Sequence, residues 1–214
     1  AGEYPQHKSV YLAMASIYAK LNNTIDALFC YEKAVAINPD YMSIFNIGNI
    51  YYRLADYKKA AIFFERARSQ NPHFIPVRLM LGLSFSRLRN FAAAERSFHE
   101  VVSAAPQNEV ALIALSMLMY EKGNYNESEE FASRILFLNP SNITARNIHS
   151  KVLLKLNRLD ESQEDLKQLI VSDSKYSDYT DYISSLPSET FSDKFGTIDS
   201  KIENLKEEAE TAPD

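Results

Sequence analysis

The residues best suited to bind a metal or move a proton are the four histidines, His7, His73, His99 and His149, separated by 66, 26 and 50 residues. No two share the spacing that sets a pair of imidazoles on one helix face as ligands. His149 therefore reads as a packing residue and His73 as a solvated side chain in a loop. The single cysteine, Cys30, can form neither an internal disulfide nor a multi-cysteine zinc site. Beside Tyr31 it reads as a small buried hydrophobe, and it leaves the redox compartment open. Glu127, Glu129 and Glu130 form the acidic start of a solvated helix, where the positive helix end favours them. Lys58, Lys59, Arg66 and Arg68 form a modest basic patch. No phosphate-binding glycine loop, nucleophile elbow or EF-hand loop occurs. The expectation is a chain without catalytic residues, cofactor or metal.

The elements that carry these residues belong to an ordinary globular composition. The chain has 214 residues, 46% hydrophobic and 24% charged, which is long enough to bury a substantial core. Its 23 basic residues against 28 acidic ones leave a charge of -5, the wrong sign for nucleic acid. The apolar run Val110 to Tyr120 covers 11 residues, short of the roughly 18 to 20 that cross a bilayer. No membrane span is expected. Position 1 is Ala, and no basic start followed by an apolar stretch precedes Val10, so no targeting segment is expected in these residues. A removed leader, a membrane anchor and a longer parent chain stay open, as does the choice between cytoplasm and periplasm.

Internal repetition organises the chain. Asn38-Pro39, Asn71-Pro72 and Asn139-Pro140, with Ala105-Pro106 in the matching place, put prolines 33, 34 and 34 residues apart. The repeats run over 8–40, 41–74, 75–108 and 109–142, with a divergent fifth over 143–176 that has Ser174 where proline stood. The eighth position is small throughout: Ala15, Gly48, Gly82, Ser116 and Ser150. The eleventh is large, namely Tyr18, Tyr51, Phe85, Met119 and Leu153, and is expected to fill the gap above the small residue. The twentieth is small again, at Ala27, Ala60, Ala94, Ser128 and Ser162. Four residues later stand Tyr31, Phe64, Phe98, Ala132 and Leu166, on the same face of a second helix. Breakers and caps at Asn22-Asn23-Thr24, Ala55-Asp56, Arg89-Asn90, Gly123-Asn124 and Asn157-Arg158 separate the two helices of each repeat.

This pattern resembles the tetratricopeptide repeat family over roughly residues 8 to 176, most closely in the second and third repeats. The resemblance implies an all-α, right-handed α-α superhelix of about five helix-turn-helix repeats. A stripe of Tyr179, Tyr182, Ile183 and Leu186 suits a C-terminal capping helix over 177–187. The tail, 188–214, holds three lysines against eight acids, and its Ile198, Ile202, Leu205 and Ala209 would line one side of a helix. A frayed acidic tail is the other reading.

In this family the first helices line a concave surface through positions 2, 5, 9, 12 and 13. The resemblance therefore assigns Met42, Phe45, Asn49, Tyr52 and Arg53 to it, then Pro76, Leu79, Leu83, Ser86 and Arg87, then Val110, Ile113, Met117, Tyr120 and Glu121. Repeats one and five add Leu12, Ser16 and Lys20, and Asn147, Lys151 and Lys155. The expected partner-binding set is Phe45, Asn49, Tyr52, Arg53, Leu79, Leu83, Arg87, Ile113, Met117 and Tyr120. Asn49 can exchange hydrogen bonds with a peptide backbone, and Arg53 and Arg87 can pair with carboxylates. The family's clamp for a partner's C-terminal carboxylate is not reproduced: counted from repeat one, Leu12, Ser16, Pro76 and Met80 stand at four of its places and only Asn46 fits, and counted from repeat two the places hold Phe45, Asn49, Met80, Val110 and Ala114. Apolar recognition is expected instead.

The helix of Val110 to Tyr120 is apolar nearly all round, so its outward face is expected to be covered by a second copy, the tail or a ligand. The leading expectation is a non-catalytic protein-interaction module that binds an extended peptide or amphipathic helix, as an adaptor or assembly factor. The alternatives are a structural subunit or homodimer joined through repeat four or the tail, and the regulatory repeat region of a larger enzyme.

Overall fold

The computed structural model describes residues 7–172, which are helical between short turns and contain no strand. Ten helices follow one another in pairs. They are α1 (Lys8–Lys20) and α2 (Thr24–Ile37), α3 (Tyr41–Arg53) and α4 (Tyr57–Gln70), and α5 (Ile75–Arg87) and α6 (Phe91–Ala104). Then come α7 (Glu109–Lys122) and α8 (Tyr125–Leu138), and α9 (Ile143–Lys155) and α10 (Leu159–Ser172). The expected cap over 177–187, the acidic tail over 188–214 and the end of the fifth repeat lie outside the described residues.

The turns inside the pairs use one device. Asn22, Ala55, Arg89 and Asn157 take φ of 58°, 58°, 57° and 60°, and Gly123 takes 80° at the same place. A left-handed residue there reverses the chain within two or three residues. The side chains that follow cap the next helix. Asn23, Asp56 and Asn90 accept the backbone N–H of Asp26, Lys59 and Ala93. Between pairs, Pro39, Pro72, Pro106 and Pro140 follow the second helices, where a missing N–H and fixed φ bar continuation. Asp40, Asn108 and Asn142 then cap α3, α7 and α9 at 2.9 Å.

The chain divides inside α7 into two compact units, one running to Ala114 and the other starting at Leu115. In the first unit α1 packs on α2, α3 on α4 and α5 on α6, while α2 also meets α3, α4 meets α5, and α3 touches α5. A Cβ added to Gly48 would lie 2.6 Å from Cε1 of Phe64, and one added to Gly82 would lie 2.5 Å from Cε1 of Phe98. Both rings are fully buried. Each glycine is thus the socket for a phenylalanine reaching across its own hairpin. This corrects the role expected of the eleventh position: Tyr51, one turn further along α3, is half-buried and stacks on Phe63 at 5.3 Å.

The second unit closes its hairpins differently. Ser116 donates to the carbonyl of Ser128 at 2.8 Å, and Ser128 donates back to the carbonyl of Ser116 at 2.7 Å. In the next hairpin the hydroxyls of Ser150 and Ser162 lie 3.0 Å apart, and Ser162 donates to the Ser150 carbonyl at 3.0 Å. All four serines are fully buried, so each hydroxyl has the partner its burial demands. In this unit α8 packs on α9 and α9 on α10.

Candidate functional site

The expected partner-binding residues fall in both units. In the first, α3 carries Phe45, Asn49, Tyr52 and Arg53, and α5, which touches it, carries Leu79, Leu83 and Arg87. Leu79 and Leu83 are half-buried, two turn-spaced aliphatic groups still open to contact. Asn49 is half-buried, and its side-chain amide makes no hydrogen bond among the described residues. The Arg87 guanidinium pKa is raised by its neighbours, first by polar interaction with Tyr52 and then by the charges of Tyr52 and Tyr57. The guanidinium also sits 5.9 Å from the Tyr57 ring centre, and Tyr57 meets Tyr52 edge-on at 5.2 Å. Tyr52 and Arg87 are therefore brought together from two hairpins.

Three of the expected roles change. Phe45 turns its ring onto Phe64 at 5.5 Å and Phe74 at 5.1 Å, so much of it supports the core beneath the face. Arg53 donates to the Asn22 side chain at 2.9 Å, in the turn of the preceding hairpin, so its charge is already steered. Arg87 likewise has a neighbour, its guanidinium lying over the Tyr57 ring. Long polar side chains on a helix find such neighbours because adjacent hairpins stand within reach.

Ile113, on the part of α7 in the first unit, is half-buried. In the second unit Met117 is 49% exposed, and Tyr120 meets Tyr125 edge-on at 5.6 Å, as Tyr52 meets Tyr57. The remainder of this helix is largely covered, with Leu112, Leu115 and Met119 fully buried.

Some of the polar residues singled out by type find partners. His149 is not a packing residue: Nδ1 lies 2.5 Å from Oδ2 of Asp165, and Nε2 lies 3.1 Å from the Ser133 hydroxyl. Arg146 binds the other Asp165 oxygen at 3.1 Å and also donates to the Pro140 carbonyl. The order hydroxyl, imidazole, carboxylate matches that of serine hydrolases, but Ser133 lies within α8, where neighbouring backbone N–H groups are spent on the helix. No oxyanion site is formed by that backbone. The network ties α8, α9 and α10 together. Glu129, expected as a solvated acid, accepts from Arg158 at 2.5 Å, and Arg158 also binds Glu161 at 2.6 Å. Those bonds, Glu161 first and Glu129 second, push the Arg158 pKa up, and Arg158 pulls that of Glu161 down.

The basic patch on α4 is partly neutralised. Arg68 pairs with Glu65 at 2.8 Å and faces Glu100 at 3.9 Å, and Lys59 pairs with Asp56 at 3.3 Å. Cys30 is 2% exposed, and burial first, then Asp26, pushes its thiol up, away from the reactive thiolate. A shallow depression of about 880 Å³ in the first unit lies among Arg78, Glu95, Arg96 and Glu100 on α5 and α6, and none of the ten expected residues lines it. No group of three or more metal-ligating side chains occurs among the described residues, and no described helix is long and apolar enough to cross a membrane.

Family models for the tetratricopeptide repeat match residues 9–41, 43–74 and 87–152. The chain belongs to the tetratricopeptide repeat family. Human cilia- and flagella-associated protein 70 is 26% identical over 141 residues, covering 65% of this chain but only 12% of that protein. The chain thus spans a small fraction of the curated relative it matches. Among solved structures, a tetratricopeptide repeat protein from Parabacteroides merdae is 20% identical with a TM-score of 0.71, covering 77% of this chain and 66% of that one. YrrB, described as a TPR protein with an unusual peptide-binding site, is 19% identical with a TM-score of 0.71, covering 82% and 91%. MamA from Desulfovibrio magneticus RS-1 is 15% identical with a TM-score of 0.73, covering 81% and 97%. At these identities the likeness shows the fold, an all-α tetratricopeptide solenoid. Membership makes the chain a protein-protein interaction module, and the fold is typically a non-catalytic scaffold.

Proposed function

We propose that this chain captures a segment of a partner protein, an extended peptide or an amphipathic helix, on the face shared by α3 and α5, and serves as an adaptor or assembly factor without catalysing a reaction. The observation that carries the proposal is Asn49. A half-buried amide on α3 with no side-chain hydrogen bond among the described residues, and the half-buried aliphatic groups Leu79 and Leu83 on the touching helix α5, suit a peptide backbone flanked by apolar side chains. Each large apolar group buried contributes about 1.5 to 3 kcal/mol before ordering costs are subtracted. The Tyr52–Arg87 pair borders the same face with a polar rim. YrrB, with its peptide-binding site on a similar fold, supports a peptide ligand by analogy only.

The test is affinity capture of partners by the wild-type chain, compared with Asn49→Ala and Leu83→Asp. Phe45 is avoided because its ring also supports Phe64 and Phe74. Loss of the same captured protein with both variants, at unchanged helical circular dichroism, is the expected result; capture undiminished by both rejects the proposal. A second reading, self-association through repeat four, is favoured by the half-exposed Met117. An unchanged oligomeric state in Met117→Asp would reject that one.

A further inference from the structure

Carboxylates are kept off the first helices of the first unit. α1, α3 and α5 contain no aspartate or glutamate, and the five acids of α1 to α6, Asp26, Glu32, Glu65, Glu95 and Glu100, all lie on α2, α4 and α6. The first helices hold five bases instead. Two are engaged, Lys8 with Asp40 at 2.7 Å and Arg78 with Glu100 at 3.6 Å. The other three, Lys20, Arg53 and Arg87, are the last residues of α1, α3 and α5, and all are exposed. Arg53 and Arg87 belong to hairpins that follow another hairpin, so this exposure goes with the position in the repeat and not with where the chain starts. A helix C-terminus favours a base in its last turn, but that preference does not clear acids from the other turns.

The three cations belong to one edge. Arg53 reaches the side chain of Asn22, two residues beyond Lys20, at 2.9 Å. The Arg87 guanidinium sits 5.9 Å from the centre of the Tyr57 ring, and Tyr57 meets Tyr52, the chain neighbour of Arg53, at 5.2 Å. Both arginines thus face neutral groups, and among the described residues no carboxylate pairs with any of the three. Exposed Arg89, 5.6 Å from the centre of the Phe91 ring, adds a fourth positive charge at the turn after α5. Of the acids at these turns, Asp56 is paired with Lys59 at 3.3 Å, which leaves Asp26, in the first turn of α2, against four cations.

We propose that the partner segment captured on α3 and α5 is acidic and extended, its side-chain carboxylates meeting Lys20, Arg53 and Arg87. This rests on the capture proposed above and names the chemistry of its ligand. Charge complementarity carries it: a chain of charge -5 repels acidic polypeptides in general, yet here it presents one cation per hairpin on helices that bear no acid. Helices that touch, as α3 and α5 do, stand about 8 to 10 Å apart, and an extended peptide advances about 3.3 Å per residue. A carboxylate at every third residue therefore keeps step with the hairpins. A polypeptide is favoured over nucleic acid because α3 and α5 also carry Asn49, Leu79 and Leu83, which suit a peptide backbone and apolar side chains.

The probe is an amidated peptide of four Glu-Leu-Ser repeats, titrated against the full chain beside versions with Gln or Lys in place of Glu. The Glu peptide is expected to bind, the Gln peptide to bind more than about tenfold more weakly, and the difference to shrink as salt rises from about 0.05 to 0.5 M. Arg53→Glu with Arg87→Glu should lose the Glu peptide and gain the Lys peptide at unchanged helical circular dichroism. Should that reversal unfold the chain, Arg53→Gln with Arg87→Gln should still lose the Glu peptide. Equal binding of the Glu and Gln peptides, Glu-peptide binding undiminished in these variants, or no binding of either peptide would each overturn the proposal. Tighter binding of an oligothymidylate of equal charge would also overturn it, assigning the edge to phosphates. Glu-peptide binding that appears only with Glu203→Gln, Glu207→Gln and Glu208→Gln together would overturn it as well, assigning the edge to the chain's own tail. Partner capture lost in Leu83→Asp but kept in Arg53→Gln with Arg87→Gln would sink this inference and leave the capture reading standing, whereas capture undiminished in Asn49→Ala and Leu83→Asp sinks both.

Discussion

The hairpins α3–α4 and α5–α6 close on a ring set into a glycine, whereas α7–α8 and α9–α10 close on paired serines. The same repeat position thus does its work by dispersion and shape in one unit and by hydrogen bonding in the other. A ring against a glycine fails sharply when either side changes, because close-packed interiors have little slack. Two serines that exchange bonds can be replaced together at small cost, since removing both partners leaves no orphan. The difference teaches that one backbone close approach can be made by two unlike chemistries, with unlike tolerance to substitution.

The sharpest way to break the contrast is Phe98→Ala, which empties a fully buried site and is expected to cost about 3 to 5 kcal/mol, read as a lowered denaturation midpoint. The largest effect expected in the second unit is of another kind. Asp165→Ala leaves Arg146 and His149 without their shared carboxylate and should cost about 3 kcal/mol, with faster hydrogen exchange in α9 and α10 than in α3 and α4. Gly82→Ala places a Cβ 2.5 Å from Phe98 and should cost about 1 to 3 kcal/mol; adding Phe98→Leu to it should be less harmful than the two costs summed. Ser116→Ala with Ser128→Ala should cost less than about 1 kcal/mol in the same denaturation assay. If this pair proves as costly as Gly82→Ala, the two closures are not energetically distinct.

The smallest effect concerns pH. Burial alone would raise the Asp40 pKa, but hydrogen bonds from Lys8 and Ser43 outweigh it and hold the carboxyl below its usual range. A carboxylate favoured in the folded state stabilises above its unfolded pKa of about 4 and loses that contribution as pH falls through the lower folded value. Asp40→Ala should therefore destabilise by about 1 kcal/mol at neutral pH and approach the parent in strong acid, as thermal melts at several pH values would show.

Much of the fold was legible because its requirements fall on the backbone. Proline at 33 or 34 residue intervals and small residues at the eighth and twentieth positions are dictated by chain geometry, which sequence spacing records directly. The polar partners were less legible. Arg53 finds Asn22 across 31 residues and Arg158 finds Glu129 across 29, and long side chains select such partners in space rather than by period. One signal was available. His149 stands where other repeats have Met14, Ile47, Leu81 and Leu115, and Asp165 where they have Cys30, Phe63, Ser97 and Phe131. Two ionisable groups at core positions of one repeat imply that they meet. The assignment of Asn49, Leu79 and Leu83 to a binding face remains the proposal made above, resting on their position and half-burial.

The inner turns have a practical consequence. Ala55 and Arg89 hold a left-handed backbone that costs an L-residue about 1 kcal/mol or more, and only Gly123 escapes that cost by having no side chain. Stiffness in this molecule can accordingly be adjusted one elbow at a time, with Ala55→Gly or Arg89→Gly as tuning screws that leave the buried closures untouched.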